Sequence, residues 1–204
     1  PPERVWIATT PALADAVRAQ LPEIGAARIL VEPAARNTAP AIGWSLLSMP
    51  AAAREGAVIV LPSDHRIAAP ESFRAALALA AEVVEREARI LTLGVVPTAP
   101  ETGFGYLEMG EALAAAPGLR RVRRFTEKPD RATAERFLAG GEHLWNAGIF
   151  VWGADTFLRA LQAARRALYQ GGAERGPAPA EPGGPVSRGA GRPAPRRRDY
   201  FFGA

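Results

Sequence analysis

The residues best suited to chemistry follow an apolar run in the first third of the chain. Residues 57–61 are apolar without interruption, and the run ends abruptly in Pro62-Ser63-Asp64-His65. Because both faces of such a run are apolar, it predicts a central strand of a parallel sheet. Ligands of open α/β sheets bind beyond the carboxyl ends of the strands, where Asp64 would lie. Its carboxylate could ligate Mg²⁺, which prefers oxygen ligands and bridges to phosphates, or it could cap the helix that follows.

A second group of candidates consists of residue types that are rare in this chain. Of the 25 basic residues only Lys128 is a lysine, and Asn37 and Asn146 are the two asparagines. This bias points to coding composition, so the positions that keep Lys or Asn are candidates for sites where chemistry resists substitution. Glu127 and Lys128 are neighbours on a predicted strand and would point to opposite faces, unless the strand ends at Pro129. The simpler interpretation is an exposed ion pair worth at most about 1 kcal/mol.

Alternating strand and helix patterns must position these residues. The alternation favours right-handed βαβ units and an α/β, Rossmann-like fold whose mixed, mostly parallel sheet is flanked by helices. Thr10 and Thr38 are suited to cap the first two helices, because proline follows each within the first turn. Gly105, in a glycine-interrupted extended segment, would let a ligand approach the backbone. The predicted strands cover residues 4–10, 27–31, 57–62, 90–95, 122–128 and 143–152, and the predicted helices cover 11–20, 38–47, 70–87, 130–139 and 154–169.

Length and composition bound the class of protein. The 204 residues are 48% hydrophobic, which is enough for one domain with its own core. The sequence contains no cysteine, which excludes a disulfide framework and a thiolate metal site. No apolar stretch is long enough to span a bilayer, and the first residues do not resemble a signal peptide. We therefore expect a cytoplasmic protein with no membrane partner.

The positive charge is concentrated at the end of the sequence. The net charge is +4, and residues 171–204 contribute +3 of it through six arginines and three carboxylates. The remainder is nearly neutral, which does not indicate a nucleic-acid partner. Residues 171–204 are rich in Gly, Pro and Arg and hold too few aliphatic side chains to offset the entropy of ordering them. We therefore expect one domain over residues 1–170 and a disordered tail over 171–204.

Five motifs occur in the order typical of a known family. They are Glu32-Pro33 with Arg36-Asn37-Thr38-Ala39-Pro40, Pro62-Ser63-Asp64-His65, Gly103-Phe104-Gly105-Tyr106, Phe125 with Glu127-Lys128-Pro129, and Trp145-Asn146-Ala147-Gly148-Ile149-Phe150. Residues 4–160 resemble the mannose-1-phosphate guanylyltransferases of the sugar nucleotidyltransferase superfamily. The resemblance implies a nucleotide-diphospho-sugar transferase fold and an in-line attack of mannose 1-phosphate on the α-phosphorus of GTP, which forms GDP-mannose and pyrophosphate. Such a reaction needs no covalent nucleophile, so the protein must align two anions and neutralise their repulsion.

The resemblance implies a role for each candidate near the phosphates and the base. Asp64 would ligate the Mg²⁺ that bridges the nucleotide phosphates, and Lys128 would meet the sugar phosphate. These two are the expected catalytic residues. Asn37 and Thr38 match the segment that reads guanine.

On the sugar side the resemblance assigns three more positions. Glu127 would bind sugar hydroxyls, which suits a carboxylate that accepts two hydrogen bonds. Lys128 offers a compact charge to a phosphate oxygen. Asn146, together with the backbone around Gly105, would contact the mannosyl ring.

Two features of the family have no counterpart in this sequence. The family begins with a strand and a loop of the type Gly-Gly-x-Gly-Thr-Arg-x-x-Pro, whose N–H groups cradle the triphosphate. We therefore expect a partial nucleotidyltransferase domain that lacks its first strand and binds the triphosphate weakly. Asp199 and Tyr200 do not match the Ser-x-Asp-Tyr segment that supplies a second metal ligand, so that role is not assigned here.

The expected ligands are thus GTP, mannose 1-phosphate and Mg²⁺, and the resemblance is compatible with a homodimer. Two alternatives stay open. One is a sugar-1-phosphate nucleotidyltransferase for another base or sugar, which the nucleotide preference of pyrophosphate release would reveal. The other is a non-catalytic module that binds sugar phosphates, which binding without turnover would reveal.

Overall fold

The computed structural model describes residues 2–34, 38–113, 116, 118–173 and 199–202, with side chains described as far as residue 166. Strands and helices alternate along most of this length, as the hydrophobic pattern predicts. The strands are β1 (Ile7–Thr9), β2 (Ile29–Val31), β3 (Ala57–Val60), β4 (Ile90–Val95), β5 (Tyr106–Ala112), β6 (Leu119–Thr126), β7 (His143–Gly153) and β8 (Asp199–Phe202). The helices are α1 (Ala14–Gln20), α2 (Thr38–Ser48), α3 (Pro70–Arg86), α4 (Arg131–Gly140) and α5 (Ala154–Ala173).

The larger of two sheets is organised around β7. Its strand order is β3-β7-β4-β8-β6-β5, and β5 also pairs with β7, while β1 and β2 form a separate two-stranded sheet. On one side β7 pairs with β4. On the other side its last residues pair with β3 and its first residues with β5. Strands β3 and β5 therefore lie end to end along the same edge of β7.

The α/β class and the mixed sheet are confirmed, but two details of the expectation are wrong. Within the described residues β3 pairs with β7 alone, so it is an edge strand rather than a central one. The pairings between described strands are also mostly antiparallel, since β1–β2 and β4–β8 are the two parallel pairs among them. Strand β7 contributes to both differences, because it lies between β3 and β4 and runs opposite to each, while β5–β6 and β6–β8 are further antiparallel pairings.

Helices cover both faces of this sheet. On one face, α3 packs Ala76, Ala80 and Val84 against β4 and against Ile149 and Val151 of β7. On the other face, α2 and α5 enclose a second cluster of Leu46, Trp152, Ala154 and Phe157, in which the Trp152 and Phe157 rings stack 4.6 Å apart. Successive residues of β7 thus serve opposite faces, as the period of a strand requires. A strand that is held on both faces is a rigid base for a binding site.

Two further expectations differ from the structure. Thr10 does not cap α1, because a turn intervenes in which the Leu13 N–H donates to the Thr10 carbonyl, and the helix begins at Ala14. Within the segment expected to be disordered, α5 continues to Ala173 and Asp199–Phe202 forms β8. The three aromatic residues of β8 are of the type enriched in strands. Residues 174–198 and 203–204 lie outside the described part. No helix in the described ranges is long and apolar enough to cross a membrane.

Candidate functional site

A gap between two strands organises the predicted site residues. Val60 of β3 pairs with Phe150, and Tyr106 of β5 pairs with Trp145, so no strand among the described residues lies beside residues 146–149 of β7 on that edge. The motifs that follow β3 and precede β5 both end at this gap. The ends of β3 and β5 therefore bring distant parts of the sequence to one place.

A bulge shapes β7 at the same point. Thr92 of β4 pairs with Phe150, but Gly94 pairs with Asn146, so β7 has two more residues than β4 between these pairs. Gly148, inside the bulge, has a φ of +69°, which favours glycine. A Cβ atom at Gly148 would lie 3.5 Å from Cγ of Pro62. The bulge thus packs against the Pro62-Ser63-Asp64 turn, and bulges commonly re-aim side chains beside active sites.

Three of the predicted sugar-side residues are in contact across the gap. The Asn146 N–H donates to the Gly105 carbonyl over 2.8 Å. Gly105 is buried, and a Cβ atom there would lie 2.7 Å from the ring of Phe125 and 3.2 Å from Oε2 of Glu127. A side chain at position 105 would therefore force the side chains of Phe125 and Glu127 to move. The structure thus places Gly105 beside both Glu127 and Asn146.

Lys128 lies at the same edge in an unusual conformation. Its φ of +41° is the one positive value at a non-glycine residue within the described ranges. Such a backbone costs on the order of 1–3 kcal/mol and persists where the surroundings impose it. The surroundings here are Pro129, which is buried, and Asp130, whose carboxylate accepts the Thr133 N–H over 2.8 Å and caps α4.

Because the chain turns at Lys128, the side chains of Glu127 and Lys128 do not point to opposite faces of a strand. The Lys128 Nζ lies 3.9 Å from Oε1 of Glu127, and both side chains are more than half exposed. Consecutive residues of a continuous strand would diverge, but β6 ends at Thr126 and the chain turns. The cation and the carboxylate are therefore available together to a ligand, although the contact alone adds little stability.

Asn146 is held by its side-chain oxygen. Its Oδ1 accepts the Gly148 N–H over 3.3 Å and lies 2.9 Å from Oγ1 of Thr92. Thr92 is fully buried. Because Oδ1 is engaged inside the bulge, the amide nitrogen Nδ2 is the part of the side chain that can donate to a ligand.

Asp64 is an exposed residue of the turn that follows β3, and Thr38 is the first residue of α2. No group of three or more His, Cys, Asp or Glu side chains that could hold a metal ion occurs in the described part of the chain. Among the residues that the structure describes, Asp64 is therefore a single candidate metal ligand and not one of a cluster of ligands. Mg²⁺ is commonly bound in this way, by one or two carboxylates with substrate phosphates and water completing its shell. Asn37, the predicted partner of Thr38, lies outside the described residues.

A separate cavity lies away from the predicted site residues. It has a volume of about 480 Å³ and is lined by Gly94, Val96, Pro97, Met109, Gly118, Arg120, Phe137, Leu138, Gly141, His143 and Leu144. None of the predicted site residues lines it. Burial lowers the pKa of His143, while the charges of Glu108 and Glu142 oppose this effect. The His143 ring stacks on Phe137 with 3.8 Å between the centroids.

Two residues of the site were not predicted from the sequence. Phe125 stands in one of the motifs, but nothing in the sequence indicates that its ring contacts Gly105. Thr92 offers a weak signal, since it is the single polar residue in the run Ile90-Leu91-Thr92-Leu93. A polar residue inside an apolar strand needs a hydrogen-bond partner, but the sequence does not identify it.

The sequence of the chain is similar to those of several bacterial proteins. The chain is 42% identical to the xanthan biosynthesis protein XanB of Xanthomonas campestris over 151 residues. These aligned residues cover 73% of this chain and 31% of that protein. It is 42% identical over 134 residues to a mannose-1-phosphate guanylyltransferase of Klebsiella pneumoniae, covering 65% of this chain and 28% of that protein. The chain therefore spans about a third of the length of these curated relatives.

A solved structure and a family comparison agree with these relatives. The structure of a mannose-1-phosphate geranyltransferase from Thermus thermophilus superposes with a TM-score of 0.71 at 28% identity, covering all of this chain and 60% of that one. Residues 2–171 match the family described as nucleotidyl transferase. The match includes every residue assigned to the gap between β3 and β5. The chain belongs to the nucleotidyl transferase family.

Proposed function

We propose that the protein to which this chain belongs transfers a guanylyl group from GTP to mannose 1-phosphate, forming GDP-mannose and pyrophosphate. The observation that carries the proposal is the cluster of Gly105, Glu127, Lys128 and Asn146 beside the gap in β7. The named Klebsiella relative, a mannose-1-phosphate guanylyltransferase, supports the choice of sugar and base. Residues 1–170 together with β8 form the domain that acts, since β8 lies between β4 and β6 in the same sheet.

The sugar phosphate would be bound by groups of complementary chemistry. Glu127 accepts hydrogen bonds from two sugar hydroxyls, and Asn146 donates one through Nδ2. Lys128 neutralises a phosphate oxygen, which lowers the repulsion between the two anionic substrates. Gly105 leaves room for the sugar because it carries no side chain. These groups bind and orient, so their contribution is mainly alignment for in-line attack.

The nucleotide side involves Asp64, Asn37 and Thr38. Asp64 would be the protein ligand of Mg²⁺, which when bound neutralises charge on the nucleotide phosphates. Asn37 and Thr38 would contact guanine through hydrogen-bonding groups that match its edge. Cytoplasmic synthesis, where nucleoside triphosphates are available, and a homodimer belong to the same proposal.

The test is an assay of pyrophosphate release with mannose 1-phosphate and each of GTP, ATP, UTP and dTTP, with and without Mg²⁺. The expected result is a preference for GTP that depends on Mg²⁺. Preference for another nucleotide would contradict the guanylyl assignment and indicate a sugar nucleotidyltransferase that uses a different base. Calorimetry with mannose 1-phosphate and with GDP-mannose is run in parallel, because binding measures the sugar side independently of turnover.

A second candidate is a non-catalytic module that binds sugar phosphates. It is favoured by the composition of the site, in which the sugar-side groups are assembled while Asp64 is the single predicted metal ligand and belongs to no metal-binding cluster within the described residues. Binding of mannose 1-phosphate and GDP-mannose without pyrophosphate release under any nucleotide would support this candidate. Turnover with GTP would exclude it.

A further inference from the structure

Thr92 is the most buried polar side chain described in the molecule. Its side chain is fully inaccessible, and it lies in β4 directly opposite the bulge of β7. Its Oγ1 lies 2.8 Å from the carbonyl oxygen of Ile149 and 2.9 Å from Oδ1 of Asn146. The hydroxyl thus bridges the two ends of the segment 146–149 that borders the gap.

The orientation of the Asn146 amide follows from its second partner. A backbone N–H can only donate, so the atom that faces the Gly148 N–H must be the oxygen Oδ1. The Thr92 hydroxyl has one hydrogen, which it shares in a three-centre hydrogen bond between this oxygen and the Ile149 carbonyl oxygen. Both contacts hold Oδ1 inside the bulge, and the NH₂ group is therefore turned away from Thr92 and Gly148.

We propose that Thr92 is a positioning residue, which fixes the Asn146 amide so that its NH₂ group donates to the sugar-phosphate ligand. This inference rests on the proposed function for the identity of the ligand, but the orientation of the amide does not. Without the hydroxyl, the amide loses one of two groups that select its orientation. An amide that rotates by 180° presents an acceptor where a donor is needed.

Two matched pairs of proteins test this role. Wild type and Thr92→Val differ by a hydroxyl exchanged for a methyl of similar size, and Thr92→Ser and Thr92→Ala differ by a single oxygen atom. If Thr92→Val does not fold, the Ser and Ala pair carries the comparison, with thermal melts confirming that both are folded. Mannose 1-phosphate is the ligand, and its Kd is measured by calorimetry.

The scarcity of asparagine makes a direct readout available. The chain contains only Asn37 and Asn146, so selective ¹⁵N-asparagine labelling gives two side-chain NH₂ signals in a nitrogen–proton correlation spectrum. An Asn37→Ala protein identifies the signal of Asn146. A merely structural role of Thr92 would change the melting temperature without moving this signal selectively.

The expected result is that Thr92→Val and Thr92→Ala shift or broaden the Asn146 NH₂ signal and weaken mannose 1-phosphate binding about tenfold, while Thr92→Ser retains both within about twofold. Equal signals and equal Kd values in the Ser and Ala proteins would overturn the proposal. If the signal moves as expected but wild type binds no mannose 1-phosphate, the orientation by Thr92 stands and the proposed function fails.

Discussion

The backbone N–H of Asn146 donates to the carbonyl oxygen of Gly105 over 2.8 Å. This bond joins the middle of β7 to the residue before β5, at the gap that β3 and β5 leave on the edge of β7. It places a side chain that can donate to a sugar beside a backbone that has no side chain in the way. The position of each group therefore depends on the other, and substitutions at either should affect the same ligand.

Replacing Gly105 by alanine should disturb the site directly. The new Cβ would lie 2.7 and 2.9 Å from two ring atoms of Phe125 and 3.2 Å from Oε2 of Glu127. Because these neighbours must move, we expect mannose 1-phosphate binding to weaken by about tenfold or more and the unfolding free energy to fall by about 1–3 kcal/mol. Calorimetry and urea unfolding measure the two effects.

Gly103→Ala is the matched control for this substitution. A Cβ at Gly103 meets no atom within 4 Å, and its φ is not positive. It should therefore leave binding and stability nearly unchanged. Equal effects of the two alanines would show that the close approach at Gly105 has no consequence for the ligand.

Removing the charge of Lys128 should separate binding from stability. The side chain is 64% exposed and contacts only Glu127 at 3.9 Å among the ion pairs described, so Lys128→Ala should change the unfolding free energy by less than about 0.5 kcal/mol. Binding of mannose 1-phosphate should weaken by about tenfold or more, because a phosphate oxygen loses its cation. Calorimetry and thermal melts check both. Arg74→Ala, on the exposed face of α3, serves as the control, and an early-melting Lys128→Ala protein with normal affinity would contradict the assignment.

The cap of α4 should be measurable through Asp130. Its carboxylate accepts the Thr133 N–H, so Asp130→Ala should lower the unfolding free energy by about 1 kcal/mol. Asp130→Ser keeps an oxygen at this position and should recover most of the loss. Since Asp130 follows the strained turn at Lys128, we also expect weaker sugar-phosphate binding in the alanine protein only. No difference between Ala and Ser in chemical unfolding would exclude the capping role.

Stability should fall at mildly acidic pH because of His143. Burial lowers its pKa in the folded state below the ordinary value of about 6.5, so between these values the unfolded chain binds more protons. The contribution of neutral His143 is therefore present above pH 6.5 and is lost as the pH drops toward the folded pKa.

His143→Phe tests this effect, because phenylalanine can stack on Phe137 but does not titrate. Its unfolding free energy, measured by urea between pH 5 and 8, should depend less on pH than that of wild type. His65→Gln, in the exposed turn after β3, is the control. A pH dependence that persists in His143→Phe but disappears in His65→Gln would assign the effect to the other histidine.

The sequence predicts most elements of this fold, because each is encoded by local periodicity. The long helix predicted at 70–87 is Pro70–Arg86, and the strand predicted at 90–95 is Ile90–Val95. The order of the strands in the sheet is not encoded by local periodicity. The insertion of β7 between β3 and β4 depends on contacts between residues fifty or more positions apart. Nothing in the apolar run at 57–61 distinguishes an edge strand from a central one.

The same distinction applies to the site. Gly105, Glu127, Lys128 and Asn146 could be predicted because their types suit the chemistry and their motifs are recognisable. Thr92 could not, since its role arises from the two extra residues of the β7 bulge, and these appear only in the register of β4 against β7. The positive φ at Lys128 is likewise a result of the turn into α4 and not of its own preference.

The edge position of β3 has a consequence for handling the protein. Within the described ranges its backbone groups are paired on the β7 side only, and two neighbouring apolar side chains, Ile59 and Leu61, are 38% and 50% exposed. An open strand of this kind is a template for pairing with a second molecule, and it carries no lysine or proline within β3 to prevent this. Self-association should therefore rise steeply with concentration, and a charged residue in place of Ile59 should keep the chains apart.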